Sequence, residues 1–210
     1  MQGFGNLLEG YRRFRANRYE SEKTRWRELA EGQNPRAIII ACCDSRADPA
    51  TIFDTDPGEI FVVRNVANLV PPFESGGGRH GVSAALEFAV TQLNVPEIMV
   101  MGHERCGGIQ AALTGMFHDA PAGEGGFVAG WMSLIEGPAN DIAHSHGTGE
   151  DGARHLEEEA IRQSLENLRT FPFVREREEA GTLKIVGCHF SIAEGQLYLL
   201  DEAEGSFRPV

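Results

Sequence analysis

The chain has no long hydrophobic run, few cations and little cysteine, and each shortage closes off a class of function. No stretch approaches the roughly 18 consecutive apolar residues of a membrane span, and Met1 to Glu20 lacks the apolar centre of a secretory leader. A soluble, cytoplasmic protein with no membrane partner is expected. Lysine plus arginine reach 19 against 31 for aspartate plus glutamate, a formal net charge of -12. Such a surface repels a phosphate backbone, because that binding rests on clustered cations, so no nucleic-acid partner is expected. Cysteine is confined to Cys42, Cys43, Cys106 and Cys188. That is no disulfide framework for a chain of this length and leaves metal ligation or core packing. What the chain does have is 41% hydrophobic residues in 210, enough to bury a sizeable core.

Tyr11 to Ala30 is charged, with apolar residues at Phe14, Tyr19, Trp26 and Leu29. The spacing predicts one or two amphipathic helices that need something larger to dock on. At Gly32 the character changes. Ala37 to Cys43 (AIIIACC) is the kind of short apolar run expected of a strand buried on both faces, and Ile60–Val63, Ile98–Met101 and Leu183–Val186 repeat it. Helical patterns fall at Val82–Leu93, Gly107–Met116, Phe127–Ala143 and Arg154–Phe171, with Gly- and His-rich breaks at Ala120–Gly126 and His144–Gly152. The second break is expected to be a mobile surface loop. Gln196–Asp201 follows Glu194-Gly195 closely enough to pair back on the fourth strand. Together these predict an α/β fold: a central, mostly parallel sheet of about four strands plus an antiparallel edge strand, flanked by helices. No repeat or linker interrupts it, so residues 1–210 are expected to form a single domain, with 1–32 a helical arm and 33–210 the core.

Side chains alternate along a strand, so Cys42, Asp44 and Arg46 of CCDSR project to one side and Cys43 and Ser45 to the other. They sit at the C-terminal end of a strand, where open parallel sheets place their ligand crevices. The third strand ends in His103-Glu104-Arg105-Cys106-Gly107-Gly108, and His-x-x-Cys across a tight turn lets an imidazole and a thiolate face one point. If the two strands are neighbours, Cys42, His103 and Cys106 offer one ion three soft or borderline ligands, which favours zinc over magnesium or calcium. Three protein ligands leave the fourth position free, as in a catalytic rather than a structural zinc site.

The pairing of C-x-D-x-R at 42–46 with H-x-x-C at 103–106 resembles the β-class carbonic anhydrases. The similarity extends through FVVRNVANL at 61–69, ALEFAV at 85–90, GHERCGGI at 102–109 and VGCHFSIAEGQLYLLD at 186–201, most of the chain. The resemblance implies one Zn²⁺ per subunit on Cys42, His103 and Cys106, and reversible hydration of carbon dioxide to bicarbonate and a proton by zinc-bound hydroxide. Asp44 would orient that hydroxide and Arg46 would hold Asp44; without the arginine the carboxylate would take the fourth position itself. Gln33, the Gly107 amide, Phe61 and Val66 match the family's substrate contacts, and a family tyrosine position holds Phe88. The resemblance also implies a homodimer or homotetramer whose N-terminal helices embrace a partner subunit, with Phe61 reaching the pocket from across the interface. A subclass of the family has an inhibitory bicarbonate site of tryptophan, arginine and tyrosine. The matching positions here are Ile39, Arg64 and Phe190, so inhibition through that site is not expected. The rival expectations are hydrolysis of carbonyl sulfide or carbon disulfide by the same hydroxide, and a zinc- or anion-binding regulatory protein in which Asp44 permanently fills the fourth position.

The remaining chemistry-bearing residues have plainer readings. Cys43 and Cys188 are expected to pack in the core. His80, His118, His144, His146, His155 and His189 are expected on the solvated surface, and Glu157–Glu159 on a solvated helix face. Gly76–Gly81 (GGGRHG) matches G-x-G-x-x-G, but it does not follow a strand directly and lacks the downstream acid of a dinucleotide site, so it reads as a flexible turn.

Zinc on three imidazoles, as in the His₃ carbonic anhydrases, brings the pKa of bound water to about 7. Two thiolates cancel the formal charge of the ion, so the water at this site is expected to be less acidic. Activity should therefore still be rising on the alkaline side of neutrality, and a pH–rate profile already flat near pH 6 would contradict this.

Overall fold

The computed structural model describes residues 3–76 and 80–210, so Gly77, Gly78 and Arg79 of the GGGRHG turn lie outside it. The chain divides into two compact units, 1–34 and 35–210.

The first unit is helical: α1 (Gly3–Ala16), α2 (Arg18–Ser21) and α3 (Lys23–Glu31). Three short helices replace the one or two expected. Phe14 meets Trp26 edge to face, with ring centroids 5.4 Å apart, and Tyr19 lies 6.3 Å from Phe14. None of the three helices buries a residue. Phe4, Leu7, Leu8 and Tyr11 form an i, i+3, i+4, i+7 stripe on α1 and are all exposed.

The second unit is built on a six-stranded sheet of order β2-β1-β3-β4-β5-β6. The strands are β1 (Ala37–Cys42), β2 (Ile60–Asn65), β3 (Glu97–His103), β4 (Lys184–Ser191), β5 (Gln196–Asp201) and β6 (Ser206–Pro209). The first four run parallel, and β5 and β6 are antiparallel. The antiparallel strand expected at Gln196–Asp201 is there, but β6 beside it takes the edge. Ser206–Pro209 has no apolar run to announce it and joins the sheet through the turn at Gly205, where φ is +65°.

Both faces of β1 are buried. Ile38 and Ile40 face one way, with Ile98, Val100, Ile161, Leu165 and Leu168. Ile39 and Ala41 face the other, with Ala47, Met101 and Cys188. This is why the strand reads as an unbroken apolar run rather than an alternating one.

The helices of this unit are α4 (Pro49–Ile52), α5 (Gly81–Glu87), α6 (Gly107–Thr114), α7 (Gly126–Met132), α8 (Glu136–His146), α9 (Glu150–Thr170) and α10 (Pro172–Glu179). The longest, α9, lies directly on β3 and β4. A Cβ added to Gly102 would come within 2.7 Å of Ile161 Cδ1, and one on Gly187 within 2.8 Å of Ile161 Cγ2, so both strands carry glycine under the same isoleucine.

Two expected helices are interrupted: the segment 82–93 changes at Phe88–Gln92 into a wider turn, and 127–143 is broken by a 3₁₀ turn at Ser133–Ile135. The helix expected at 154–171 is continuous as α9, and Pro172 at the first position of α10 starts an additional helix after Phe171. The 144–152 break is not a loop of that length. α8 continues to His146 and α9 begins at Glu150, leaving residues 147–149 between them. Polar, Gly-containing helix ends carry no apolar periodicity, which is why the sequence reads as a break there.

Cys188 is fully buried, as expected, and burial pushes its thiol up to about 12. Cys43 departs from the core placement: the chain leaves the sheet after Cys42, the Cys43 N–H donates to Asn65 O (2.8 Å), and its side chain is exposed. The native protein should therefore show one fast thiol toward a thiol-titrating reagent at pH 8, lost in Cys43→Ser. Cys188 should react only on unfolding. An unfolded thiol near 8.5 loses its proton before the folded one, so the Cys188 contribution to stability should fall as pH rises above about 8.5. Denaturant unfolding of wild type and Cys188→Ala across pH 7–10 measures that decline.

Candidate metal centre

β1 and β3 are adjacent and in register, Ala41 opposite Met101, so their C-terminal ends emerge side by side. Cys42 is the last residue of β1 and His103 the last of β3. Cys106 is the residue that caps α6, and the turn returning it to the strand ends passes through Arg105 at φ +54°, a left-handed conformation costly for a side-chain-bearing residue. The outcome is a cluster in which the ligand atoms of Cys42, His103 and Cys106 all lie within 4.8 Å of one another. The two sulfurs are 3.8 Å apart, and the three residues are 5%, 1% and 2% exposed.

Two observations show that this set fits a cation. His103 Nδ1 lies 2.9 Å from the Glu104 carbonyl, which only accepts, so Nδ1 carries the proton and Nε2 presents a bare lone pair. That buried Nε2 has no hydrogen-bond partner among the described residues, an arrangement typical of an imidazole whose second nitrogen is reserved for a metal. The sulfurs make the same point. Cys42 is held well below the ordinary thiol range, chiefly by the Cys106 side chain, while Cys106 is pushed far above it by Cys42 and by burial. Both can ionise together only with positive charge between them. Two thiolates and an imidazole are the donors of a zinc site.

Asp44 sits beside this cluster, its Oδ2 3.9 Å from His103 Nε2. Arg46 grips the carboxylate with both arms of its guanidinium, Nε to Oδ1 at 2.9 Å and Nη2 to Oδ2 at 2.7 Å, and its backbone N–H adds a third bond of 2.9 Å to Oδ1. These contacts hold the Asp44 carboxyl well below the usual carboxylate range, so it is an acceptor only. Arg46 Nη2 also donates to the Arg105 carbonyl (3.0 Å), joining the two strand-end turns. Arg64 is fully engaged with protein oxygens: Nε donates to Cys42 O at 2.8 Å, Nη1 to Asp48 Oδ2 at 2.9 Å, and Nη2 to Asp44 O.

The expected substrate residues divide. Gly107 opens α6 next to Cys106, and Val66 lies against the same helix, its Cγ1 2.6 Å from where a Cβ on Gly108 would be. Val66, Asn65 and Trp131 line a cleft of about 460 Å³, and Trp131 Nε1 donates to Val66 O (2.8 Å). Phe61 and Phe88 pair with each other, ring centroids 6.0 Å apart. Phe61 is in register with Ile38, four residues before the Cys42–Asn65 pair, which at roughly 3.3 Å per residue places it about 13 Å from the cluster within this chain. Gln33 is exposed in the segment after α3 and belongs to the first unit.

The sequence also concealed part of the site. His189 is not on the surface but fully buried, and Glu157 is 3% exposed rather than on a solvated helix face. Glu157 Oε1 accepts the backbone N–H of Cys106 (3.1 Å), and its Oε2 lies 3.0 Å from His189 Nε2. Arg154 Nη1 lies 3.1 Å from His189 Nδ1. A guanidinium only donates, so Nδ1 is the acceptor and Nε2–H donates to Glu157. The only available signal was the helical spacing of Glu157 with Leu156, Ala160 and Ile161 on the buried face of α9. The same helix ties down the loop after β2: the Val70 N–H donates to Ser164 Oγ (3.2 Å) and Asn167 Nδ2 donates to Val70 O (2.8 Å).

Glu157→Gln sets an amide N–H₂ against one of two donors, the Cys106 N–H or the His189 Nε2–H. The expected loss is about 1–3 kcal/mol of stability together with faster release of zinc to a chelator. Denaturant melts and a chelator competition read the two effects separately.

The carbonic anhydrase family profile matches residues 37–197. The chain is 38% identical over 192 residues to β carbonic anhydrase 3 of Arabidopsis thaliana, covering 90% of this chain and 73% of that one. With the mitochondrial β carbonic anhydrase 6 of the same plant it shares 36% over 189 residues, covering 88% of this chain and 63% of the relative. Among solved structures it is similar to the β-carbonic anhydrase CcaA, with a TM-score of 0.89, 31% identity and 99% of both chains covered. It is also similar to tetrameric β-carbonic anhydrases of Sordaria macrospora, with a TM-score of 0.80, 25% identity and coverage of 96% and 98%. Family profile, relatives and fold agree with the buried Cys42–His103–Cys106 set: the chain belongs to the β-class carbonic anhydrases.

Proposed function

We propose that this chain catalyses the reversible hydration of carbon dioxide to bicarbonate and a proton, using one zinc ion held by Cys42, His103 and Cys106. The observation that carries the proposal is the three-ligand set buried beside a carboxylate that is itself held away from metal ligation. Zinc supplies Lewis acidity when bound, lowering the pKa of water so that it is a nucleophile near neutral pH.

The chain's own residues do the rest. Asp44, ionised and acceptor-only, takes a hydrogen bond from the attacking water and turns its lone pair toward the substrate carbon. Arg46 fixes the carboxylate in that orientation with its two-armed grip. The Gly107 N–H, at the start of α6, faces the negative charge that develops on the substrate oxygens. Carbon dioxide is apolar and offers no charge to bind, so the Val66 wall suits it.

The Arg46 clasp favours turnover over a purely binding role, because a carboxylate engaged at both oxygens is not free to occupy the ion's fourth position. Arg64, with its guanidinium committed to Cys42 O, Asp44 O and Asp48, supports the absence of an inhibitory bicarbonate site, as do Ile39 and Phe190 at the positions of the subclass's tryptophan and tyrosine.

A homodimer or homotetramer fits the unburied apolar stripe of α1 and the Phe61–Phe88 pair, which would supply the pocket of a neighbouring subunit. The tetrameric Sordaria macrospora relatives support the same assembly. The free cysteines favour a reducing, cytoplasmic location. No described helix is long and apolar enough to cross a membrane.

Stopped-flow hydration of carbon dioxide with a pH indicator should show turnover that is lost on chelator treatment and restored by zinc. Cys106→Ser should lose both metal and rate. Asp44→Asn should keep the metal and lose on the order of 10²-fold in rate or more. Stoichiometric zinc without turnover at pH 8.5 would point to the regulatory protein, and faster turnover of carbonyl sulfide than of carbon dioxide would point to the hydrolase.

A further inference from the structure

A second cluster of metal-ligating side chains lies at the junction of α8 and α9. His146 ends α8, and Asp151 and His155 stand in the first two turns of α9. One ligand atom from each lies within 4.8 Å of the others. The two imidazoles stack, ring centroids 3.9 Å apart and 29° from parallel. All three residues are exposed, and none belongs to the catalytic cluster.

The hydrogen bonds around these rings decide what they offer. His155 Nδ1 lies 2.9 Å from the Asp151 carbonyl and 3.7 Å from Asp151 Oδ1, oxygens that only accept, so Nδ1 is protonated, Nε2 carries the free lone pair, and the exposed carboxylate swings from the Nδ1 side to share an ion with it. Ser145 Oγ spends its proton on Asp141 O (2.7 Å), so it accepts from His146 Nδ1 at 2.9 Å, and His146 has the same tautomer. Two neighbouring imidazoles thus have Nδ1–H committed to an oxygen, the arrangement that prepares histidine for ligation through its other nitrogen.

The backbone holds the cluster together. Residues 147–149 connect the two helices, with Gly147 at φ +75°. A Cβ on Gly152 would lie 2.0 Å from Gly147 O, so α9 begins hard against the end of α8. Gln110 Nε2 donates to Thr148 O (3.1 Å), strapping the connection to α6.

We propose that His146, Asp151 and His155 form a second metal site, for a divalent ion of the zinc, nickel or copper class. Two imidazoles and one carboxylate select such borderline ions over magnesium or calcium, which take oxygen. The site leaves remaining positions to water and is weaker than the buried one, because its ligands are solvated before the ion arrives. Bound there, the ion bridges α8 and α9 across their connection. The proposal is independent of the reaction at the catalytic centre.

The test uses holoenzyme with its catalytic zinc in place, titrated with zinc alone by calorimetry and by metal analysis after equilibrium dialysis. A second equivalent per chain is expected. It should weaken at least tenfold in Asp151→Asn and vanish in the double variant His146→Ala/His155→Ala, while the first equivalent and the far-UV spectrum stay unchanged. Co²⁺ added to the zinc-loaded protein separates the sites: at the second site it shows visible bands without thiolate charge transfer in the near ultraviolet, because no sulfur is present. His118→Ala, another exposed histidine beside an aspartate, should retain the second equivalent. One equivalent in the wild type, a second that survives the double variant, or loss of the second in His118→Ala would each overturn the assignment.

Discussion

Everything at the catalytic centre depends on positive charge between two sulfurs that the fold forces together. Cys42 and Cys106 come from different strand ends, are buried, and stand 3.8 Å apart. In that position one thiol suppresses ionisation of the other, and only a cation relieves the conflict. His103, with its Nε2 bare and without a partner among the described residues, carries the same unmet need in neutral form. The strained turn at Arg105 persists because it completes this set.

Around that centre the protein has built a layered support rather than a bare ligand triad. Glu157 receives the N–H of Cys106, His189 and Arg154 close the chain behind it, and Asn65 spans the loop after β2 by bonding both the N–H and the carbonyl of Leu69. The helix α9 supplies Glu157, Ser164 and Asn167 from one buried face while its isoleucine and leucines pack on the sheet. A single helix therefore carries part of the hydrophobic core and part of the polar scaffold of the site, and its close seat over Gly102 and Gly187 sets the distance between the two.

How much was legible in the sequence follows from which signals are local. The isoleucine block of β1 and the apolar runs of β2, β3 and β4 announced a parallel sheet because burial on both faces leaves an unbroken trace. The metal ligands were legible because strand-end cysteine and histidine in that spacing are chemically unusual. β6 was not, since four residues of mixed polarity join an edge through backbone bonds alone. His189 and Glu157 were misplaced for a related reason: a buried hydrogen-bonding residue looks like a surface one until its partner, remote in sequence, is known. Cys43 looked like a core residue because strand alternation was carried one residue past the point where the chain leaves the sheet. Phe61 and Phe88 lie outside the reach of the cluster in this chain, a relation that no pattern within one chain expresses.

The Nη2 atom of Arg46 serves two masters, the carboxylate of Asp44 and the carbonyl of Arg105. Carboxylate orientation and the path of the second turn are consequently one mechanical unit, and neither can be retuned alone. A lysine at position 46 would keep the charge yet sever that linkage, since an ammonium has no planar fork with which to span both oxygens of Asp44 and the neighbouring turn. The shape of the guanidinium, more than its sign, is what binds the two halves of the motif into a single working part.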